Sequence, residues 1–452
     1  MDDRFTRRQI VGLLICVLGF ALAARLVIGM GVINTYDTYW YRSWAVDAAN
    51  NGLFSIYGRM DSISLDYPPL YLFLLYLVGL VYKVVGLDAN IYMQMLLMKF
   101  WPIVFDVACA ALLYLICRRR YGRMVGLAAA ILWSLNPSFF FNTAAWGQTD
   151  GVMAFLLLLA FWYLEENWAI AACVAFAAAG LTKFQCLFFL PPFLIELFIR
   201  NRTDWLRLVV ALLSAALTVV LVFFPFVIGA QNPFLFFDVY FGSADKYPYC
   251  SLYAYNLYCL LGLNWTHDIK DTAPIFGDFT WQHLSYIFLF LSVALLVTLY
   301  LLSFFRWKTR RHSGWVGGLL MMQCIFMLTT RMHERYQVVV IPFALMAWAS
   351  TRNKRFLGLF AALSGITLIN QFLVLLDVMQ SQQYNDRAFW APAGNTLDFI
   401  FSLINLVIFV WTIIECVRYF KGSDLRPRKS RSAKQQEPVL SGPFSAVTER
   451  GE

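Results

Sequence analysis

Two carboxylates near the start of the chain have the surroundings that chemistry requires. Asp37 lies in the run N-T-Y-D-T-Y-W-Y-R, and Asp66 opens the run D-Y-P-P-L. Both belong to a polar stretch, residues 34–69, that lies between two apolar segments and is rich in acids and aromatic residues. A carboxylate can accept the proton of an attacking hydroxyl, which makes general-base catalysis one hypothesis. The alternative is that both acids are solvated loop residues.

A second polar cluster is the run R-M-H-E-R-Y, which contains Arg331, His333 and Arg335. The guanidinium group presents a rigid fork of donors that matches phosphate oxygens, so these residues are candidates for binding a phosphate. The alternative is that the arginines pair with nearby acids such as Glu334.

Five further polar residues are candidates for the wall of a substrate pocket. Gln148 and Asp150 belong to the run W-G-Q-T-D-G, which either caps a helix or lines a polar wall. Lys99 and Asp106 are seven residues apart inside an apolar segment and therefore share a helical face. A charge at mid-bilayer costs about 2.5–3.5 kcal/mol, so each needs a partner or a wet cavity. Lys183 is a similar case, and structural ion pairing remains the alternative for all three charged residues in apolar segments.

The elements that must position these residues are apolar helices. Hydrophobic residues make up 60% of the 452 and charged residues 14%, against roughly a quarter in soluble proteins. Apolar runs recur at the length of roughly 20 residues that a membrane span needs. The sequence therefore predicts an all-α polytopic membrane protein with about twelve spans and two interfacial helices. The predicted spans are Ile10–Met30, Met93–Cys117, Met124–Phe141, Gln148–Leu164, Trp168–Thr182, Leu187–Ile199, Leu206–Gly229, His283–Phe305, Gly314–Thr329, Tyr336–Ser350, Phe356–Leu376 and Leu397–Tyr419.

Charge predicts the orientation of these spans. Most of the 36 Lys and Arg residues fall in cytoplasmic loops only if the apolar segment Pro68–Gly86 does not cross the bilayer. At about 25 Å that segment is also short for a span. We therefore predict that it lies in the outer leaflet, that both termini are cytoplasmic, and that the net charge of +9 reflects inside loops rather than nucleic-acid binding. Tyr36, Trp40 and Trp44 recur at helical spacing and predict a second interfacial helix with an aromatic face.

The predicted organisation is one membrane-embedded catalytic domain, residues 1–420. It includes a first outer loop, 31–92, and a second long outer segment, 230–282, whose many Tyr and Phe residues suit it to cap a site or contact an acceptor. Residues 421–452 are polar and basic and predict a disordered cytoplasmic tail. Of nine cysteines, Cys250 and Cys259 lie in the predicted outer segment, and whether they pair is open.

Several familiar motifs are missing. The sequence has no Walker motif, no G-x-G-x-x-G, no H-E-x-x-H and no soluble domain for a nucleotide-sugar. We therefore expect no cofactor, with metal dependence open, and any transferred sugar to come from a donor carried in the lipid.

Four runs in order resemble the GT-C superfamily of integral-membrane glycosyltransferases, which use polyprenyl-phosphate sugars. They are D-Y-P-P-L from Asp66, W-G-Q-T-D from Trp146, K-F-Q from Lys183 and H-E-R-Y from His333. The first is similar to a string in the glucosyltransferases that extend dolichol-linked oligosaccharide, and H-E-R resembles their H-E-K. The combination looks closest to bacterial proteins likened to the second mannosyltransferase of GPI-anchor synthesis, over roughly residues 1–420.

The resemblance implies inverting transfer of a hexose, with mannose favoured, from a polyprenyl-phosphate donor at the outer or lumenal face. The implied acceptor is a hydroxyl of a glycan, lipid or protein. Asp37 matches the loop acid of the family and would be the general base. His333 and Arg335 match positions that meet the donor phosphate, and Arg331 is a third candidate there. The favoured location is the bacterial plasma membrane, with the endoplasmic reticulum membrane as the alternative.

One departure from the family concerns the loop acid. This chain has Y-D-T-Y-W where many relatives show a second acid or a D-I pair. Whether Asp37 acts alone or with Asp66 therefore stays open, and Gln148 and Asp150 fall in the site region without a settled role.

Two rival interpretations remain. A multi-span transporter or lipid flippase would explain the charges within apolar segments, although transporters commonly have two related halves and none stands out here. A catalytically idle scaffold with the same fold is the other.

Overall fold

The computed structural model of the chain describes residues 6–34, 36–86, 90–264, 268–384 and 396–423. The predicted disordered tail, apart from its first three residues, lies outside the described residues.

The N-terminal half is built of helices joined by short turns. In chain order they are α1 (Arg7–Gly31), α2 (Tyr36–Asn51), α3 (Pro69–Val85), α4 (Ile91–Tyr121), α5 (Arg123–Ser134), α6 (Pro137–Phe140), α7 (Asp150–Glu165), α8 (Ala169–Gly180), α9 (Leu190–Asn201) and α10 (Trp205–Ala230). Tighter or wider helical turns occupy Ile56–Arg59, Phe141–Trp146 and Phe184–Phe189.

The C-terminal half adds short strands to the same helical plan. Its helices are α11 (Leu235–Asp245), α12 (Leu257–Leu260), α13 (Trp281–Leu301), α14 (Gly314–Leu328), α15 (Val340–Thr351), α16 (Lys354–Tyr384) and α17 (Thr396–Lys421). Its strands are β1 (Ser251–Leu252), β2 (Pro274–Phe276), β3 (Phe279–Thr280) and β4 (Met332–His333), with helical turns at Leu302–Arg306 and Tyr336–Val339.

Each predicted span coincides with a helix or a pair of helices, so the all-α polytopic fold is confirmed. Among the described residues, seven helices are long and apolar enough to cross a membrane. The number rises to eight if α5 and the helix after it, bent by 47°, form one span. The remaining four predicted spans correspond to α7, α8, α14 and α15, each of which is shorter than 18 residues. The count of twelve and the orientation stay predictions, because helix length and composition alone do not set them.

The first outer loop folds as the two predicted helices, packed against each other. A Cβ at Gly79 of α3 would lie 2.0 Å from the backbone oxygen of Ala45 on α2, so glycine permits the close approach. Part of the aromatic face of α2 is buried against the rest of the first outer loop. Tyr41 and Trp44 are buried, and Trp44 Nε1 donates to the carbonyl of Ile63 at 2.8 Å. Trp44 thus points into the protein, whereas Trp40 of the same face is only half-buried.

The two charges predicted inside the apolar segment of α4 do not pair with each other. Lys99 Nζ donates to two backbone carbonyls, at 2.7 and 2.8 Å. Asp106 forms a buried ion pair with Arg25 of α1, with Nε and Oδ2 2.6 Å apart. It also accepts hydrogen bonds from Trp133 Nε1 and Thr143 Oγ1. These contacts tie α1, α4 and α5 together, and they satisfy the need of each charge for a partner.

The second outer segment is attached to the basic run that follows α14. β1 pairs with β4 in parallel, with Ser251 opposite Met332 and Leu252 opposite His333. Cys250 and Cys259 are both buried and free. The segment therefore reaches one wall of the cavity described next.

Candidate active site

One cavity of about 670 Å³ opens between α2, the residues before α3, the turn after α8, the end of α11, α13 and the basic run. It brings together residues from positions almost 300 apart in the sequence. Six of the predicted site residues line it, namely Asp37, Asp66, Lys183, Arg331, His333 and Arg335.

Asp37 lies in the first turn of α2, half-buried, with one oxygen anchored. Its Oδ2 accepts hydrogen bonds from Gln148 Nε2 at 2.9 Å and from Trp146 Nε1. Its Oδ1 has no hydrogen-bond partner among the described residues. A carboxylate held through one oxygen keeps the other available for a hydroxyl proton.

Glu334 is the buried centre of the basic run. Its Oε1 accepts from Arg335 Nη1 at 2.6 Å, and its Oε2 lies 3.6 Å from His333 Nδ1. Arg335 Nε is itself buried and has no hydrogen-bond partner in the described part of the chain. The guanidinium is thus fixed by Glu334 on one side and retains an unused donor.

The pKa values of the basic run follow from burial and from these charges. Burial alone would raise the pKa of Glu334, but Arg335 and His333 together hold it at about 2. Burial, helped by the Arg335 charge, lowers the pKa of His333 below its ordinary value. At neutral pH the cluster therefore contains a carboxylate, a guanidinium and an uncharged imidazole.

Arg331 is paired with acids, as the alternative reading of the sequence allowed. Its Nε lies 2.7 Å from Asp271, which is buried, and its Nη1 lies 2.7 Å from Asp245, which is 76% exposed. The partners are not Glu334 but residues of the second outer segment. Of the two counterions of Arg331, Asp271 therefore lies inside the protein and Asp245 lies at its surface.

Asp66 is paired with a lysine of the second outer segment. Its Oδ2 lies 2.8 Å from Lys246 Nζ, and Lys246 follows Asp245 directly in the sequence. Two adjacent residues at the end of α11, Asp245 and Lys246, thus pair with two lining residues of the cavity, Arg331 and Asp66. Sequence analysis missed Lys246 and its neighbour Tyr247 as lining residues; the run D-K-Y-P-Y in the second outer segment was the available signal.

Lys183 and Asp150 form an ion pair of 2.6 Å between the turn after α8 and the start of α7. Lys183 reaches the cavity, whereas Asp150 lies behind it and also accepts a hydrogen bond from Asn142 Nδ2 at 3.1 Å.

Not every residue predicted for the substrate-pocket wall reaches this cavity. Gln148, Asp150, Lys99 and Asp106 are absent from the lining of this cavity. All four are buried, and each uses its polar atoms on other groups of the protein. Gln148 still contributes to the site, because its Nε2 donates a hydrogen bond to Asp37.

An apolar groove of about 520 Å³ adjoins the polar cavity between α8, α9, α10 and α11. The two share Phe184, Leu187 and Leu190 as lining residues. Phe236 and Tyr240 of α11 cover the groove, so one short helix contacts both the groove and, through its C-terminal end, the cavity.

A family model described as dolichyl-phosphate-mannose-protein mannosyltransferase matches residues 66–228. The matched segment runs from Asp66 through Lys183 to the end of α10. Asp37 and the basic run lie outside it.

Three solved structures are similar to the chain at low identity. ArnT from Cupriavidus metallidurans in the apo state is 13% identical, with 89% of this chain and 77% of that chain covered and a TM-score of 0.46. ArnT from the same organism bound to undecaprenyl phosphate is 13% identical, with 90% and 78% covered and a TM-score of 0.42. The archaeal oligosaccharyltransferase AglB from Archaeoglobus fulgidus, in complex with an inhibitory peptide and a dolichol-phosphate, is 12% identical, with 92% and 56% covered and a TM-score of 0.36.

The family match agrees with the broader of the two resemblances that the motifs showed, the one to membrane glycosyltransferases. The narrower one, to the second mannosyltransferase of GPI-anchor synthesis, stays a prediction. The chain is an integral membrane protein that resembles the GT-C superfamily of membrane glycosyltransferases, as its motifs predicted.

Proposed function

We propose that the chain transfers a hexose from a polyprenyl-phosphate donor to an acceptor hydroxyl in the polar cavity. One observation carries the proposal. Asp37 and Arg335 line the same cavity, and in the described part of the chain one carboxylate oxygen of Asp37 and one guanidinium donor of Arg335 have no hydrogen-bond partner. A glycosyl transfer needs a base for the incoming hydroxyl and a cation for the departing phosphate.

In the proposed reaction, Arg335 binds the donor phosphate, with Arg331 and His333 beside it. The bond between the sugar C1 and the phosphate oxygen breaks as the acceptor oxygen forms its bond to C1. The acceptor proton passes to Asp37, and the phosphate leaves with the bonding electron pair. A base on one face of the ring and a leaving group on the other give inversion at C1.

The apolar groove suits the polyprenyl chain of this donor. The groove meets the cavity at Phe184 and Leu187, beside Lys183, so a lipid in the groove would present its phosphate end to the polar wall. An isoprenoid chain has no polar atoms to satisfy, which matches a groove formed by Phe, Leu and Ala side chains.

Mannose is the proposed sugar because the family that matches residues 66–228 is described by mannosyl transfer. Transfer at the outer face of a bacterial plasma membrane is the proposed setting, with the lumenal face of the endoplasmic reticulum as the alternative. Asp66, paired with Lys246, is the proposed second carboxylate of the site.

The test is transfer by the purified protein from a panel of radiolabelled polyprenyl-phosphate hexoses. Asp37→Asn should lower the transfer rate by roughly 10²–10⁴ because the base is lost. Asp61→Asn, at an exposed acid of the same outer loop, is the matched control and should act like the wild type. Normal turnover by Asp37→Asn would end the assignment. A flippase would move the labelled lipid across a bilayer without consuming it.

A further inference from the structure

We infer that Trp40 is the stacking platform of the acceptor site, and that the acceptor is therefore a carbohydrate whose ring lies on this indole. The inference rests on the proposed function, since it concerns the second substrate of the same cavity.

The position of Trp40 follows from the helix that bears the base. Asp37, Trp40, Tyr41 and Trp44 all line the cavity, at the spacing i, i+3, i+4 and i+7 of one helical face. The Cβ atoms of Asp37 and Trp40 are therefore about 5–6 Å apart. A general base contacts the acceptor rather than the donor phosphate, so the side chain one turn along from Asp37 belongs to the acceptor side.

Trp40 differs from Trp44, which also lines the cavity, and from Trp146, which contacts Asp37, in having unused binding capacity. Trp44 Nε1 donates to the carbonyl of Ile63, and Trp146 Nε1 donates to Asp37. The indole N–H of Trp40 has no partner among the described residues, and its ring contact there is edge-on, with Tyr39 at 5.2 Å. Among the described residues no aromatic ring stacks in parallel on the indole of Trp40, and the side chain is half-buried at a polar cavity.

The groups around Trp40 suit a sugar ring. A hexose has an apolar C–H face, which packs on an aromatic ring, and a rim of hydroxyls. Next to the aromatic face of α2 lie the Tyr67 hydroxyl, 2.9 Å from the Tyr41 hydroxyl, and the ion pair of Asp66 with Lys246. These side chains supply both donors and acceptors for hydroxyls.

The experiment compares acceptors at a fixed polyprenyl-phosphate hexose donor. The probes are a panel of octyl hexopyranosides and a Ser/Thr-containing peptide. The wild type is expected to use a glycoside and not the peptide. Trp40→Ala should raise the KM for the glycoside by about three- to tenfold, the factor for loss of one aromatic stacking contact, with the donor KM unchanged.

Two further variants sharpen the comparison. Trp40→Phe retains an aromatic face and should keep most of the acceptor affinity. Tyr39→Ala changes a neighbour that is 54% exposed and absent from the cavity lining, and it should match the wild type. If Trp40→Ala does not fold, Trp40→Leu keeps apolar volume without a π face and carries the same expectation.

The possible failures are distinct. Transfer to the peptide but to no glycoside would overturn the carbohydrate assignment and leave the proposed function standing. An unchanged glycoside KM in Trp40→Ala or Trp40→Leu, or a donor KM raised in parallel, would overturn the role of Trp40. Absence of transfer from every donor to every acceptor by the wild type would overturn the proposed function itself, and this inference with it.

Discussion

The carboxylate of Glu334 controls the charge of the basic run. It is buried between Arg335 and His333, and contacts both. As a counterion, Glu334 lets the Arg335 guanidinium stay charged inside the protein, and the buried Nε of Arg335 has no hydrogen-bond partner among the described residues. His333, held uncharged at neutral pH, lies next to this pair and lines the same cavity as Asp37.

The lowered pKa of His333 predicts how stability depends on pH. Above about pH 6.5 the imidazole is uncharged in both the folded and the unfolded chain, so its titration does not change the free energy of unfolding there. As the pH falls below 6.5 the unfolded chain binds a proton that the folded chain resists, and stability falls. We expect the apparent melting temperature of the detergent-solubilised protein to drop between pH 6.5 and 5.

His333→Asn is the matched variant for this prediction, and its melting temperature should fall less over the same range. Glu334 acts only at lower pH, since its stabilisation is lost between its ordinary value of 4.5 and about 2. An equal fall in the wild type and in His333→Asn would contradict the assignment to this histidine.

At the scale of elements, the packing of α1 against α4 depends on the buried pair of Arg25 and Asp106. Both side chains are almost fully buried, and Arg25 also donates to the carbonyls of Ala21 and Ser134. Asp106 receives two further hydrogen bonds from Trp133 and Thr143. Removing one partner of such a pair leaves the other charge buried without a counterion, which lowers the stability of the protein strongly.

The pair predicts a coupled response to substitution. Asp106→Leu leaves Arg25 buried without its counterion and should lower stability by about 3–5 kcal/mol. The double variant Arg25→Met/Asp106→Leu should regain much of that loss, because neither charge remains. The measurement is the thermal unfolding of the purified single and double variants. If the effects of the two substitutions simply add, the pair is not the tie between these helices.

At the scale of the whole molecule, the chain has its site at one end and its basic loops at the other. The order of charges predicts that the site end faces outward. Asp61 and Lys354 are both exposed, on the first outer loop and on a predicted cytoplasmic turn respectively. Cysteine placed at each position is therefore a probe of orientation.

A membrane-impermeant maleimide should label Asp61→Cys in intact cells, and Lys354→Cys only after the membrane is opened. Background from Cys250 and Cys259 in the second outer segment should be low, because both are buried. The reverse labelling pattern would require Pro69–Val85 to cross the bilayer and would place the site on the cytoplasmic side.

Much of the candidate site was predictable because its polar residues stand out against apolar sequence. Asp37, Asp66 and the basic run are conspicuous for that reason, and the structure brings them to one cavity. Lys246 was not identified, because an Asp-Lys pair in a long outer segment looks like an ordinary solvated surface. Arg25 was missed as the partner of Asp106 because the two are 81 residues apart.

Hydropathy and the order of charges are local properties, and they were enough to predict a helical membrane protein, the place of its helices and the end at which polar chemistry gathers. Only the tertiary structure showed which polar residues line the cavity and which support the lining residues from behind. Lys183 reaches the cavity while Asp150, its partner, does not. That difference depends on which atoms meet across helices distant in the chain, and no local pattern encodes it.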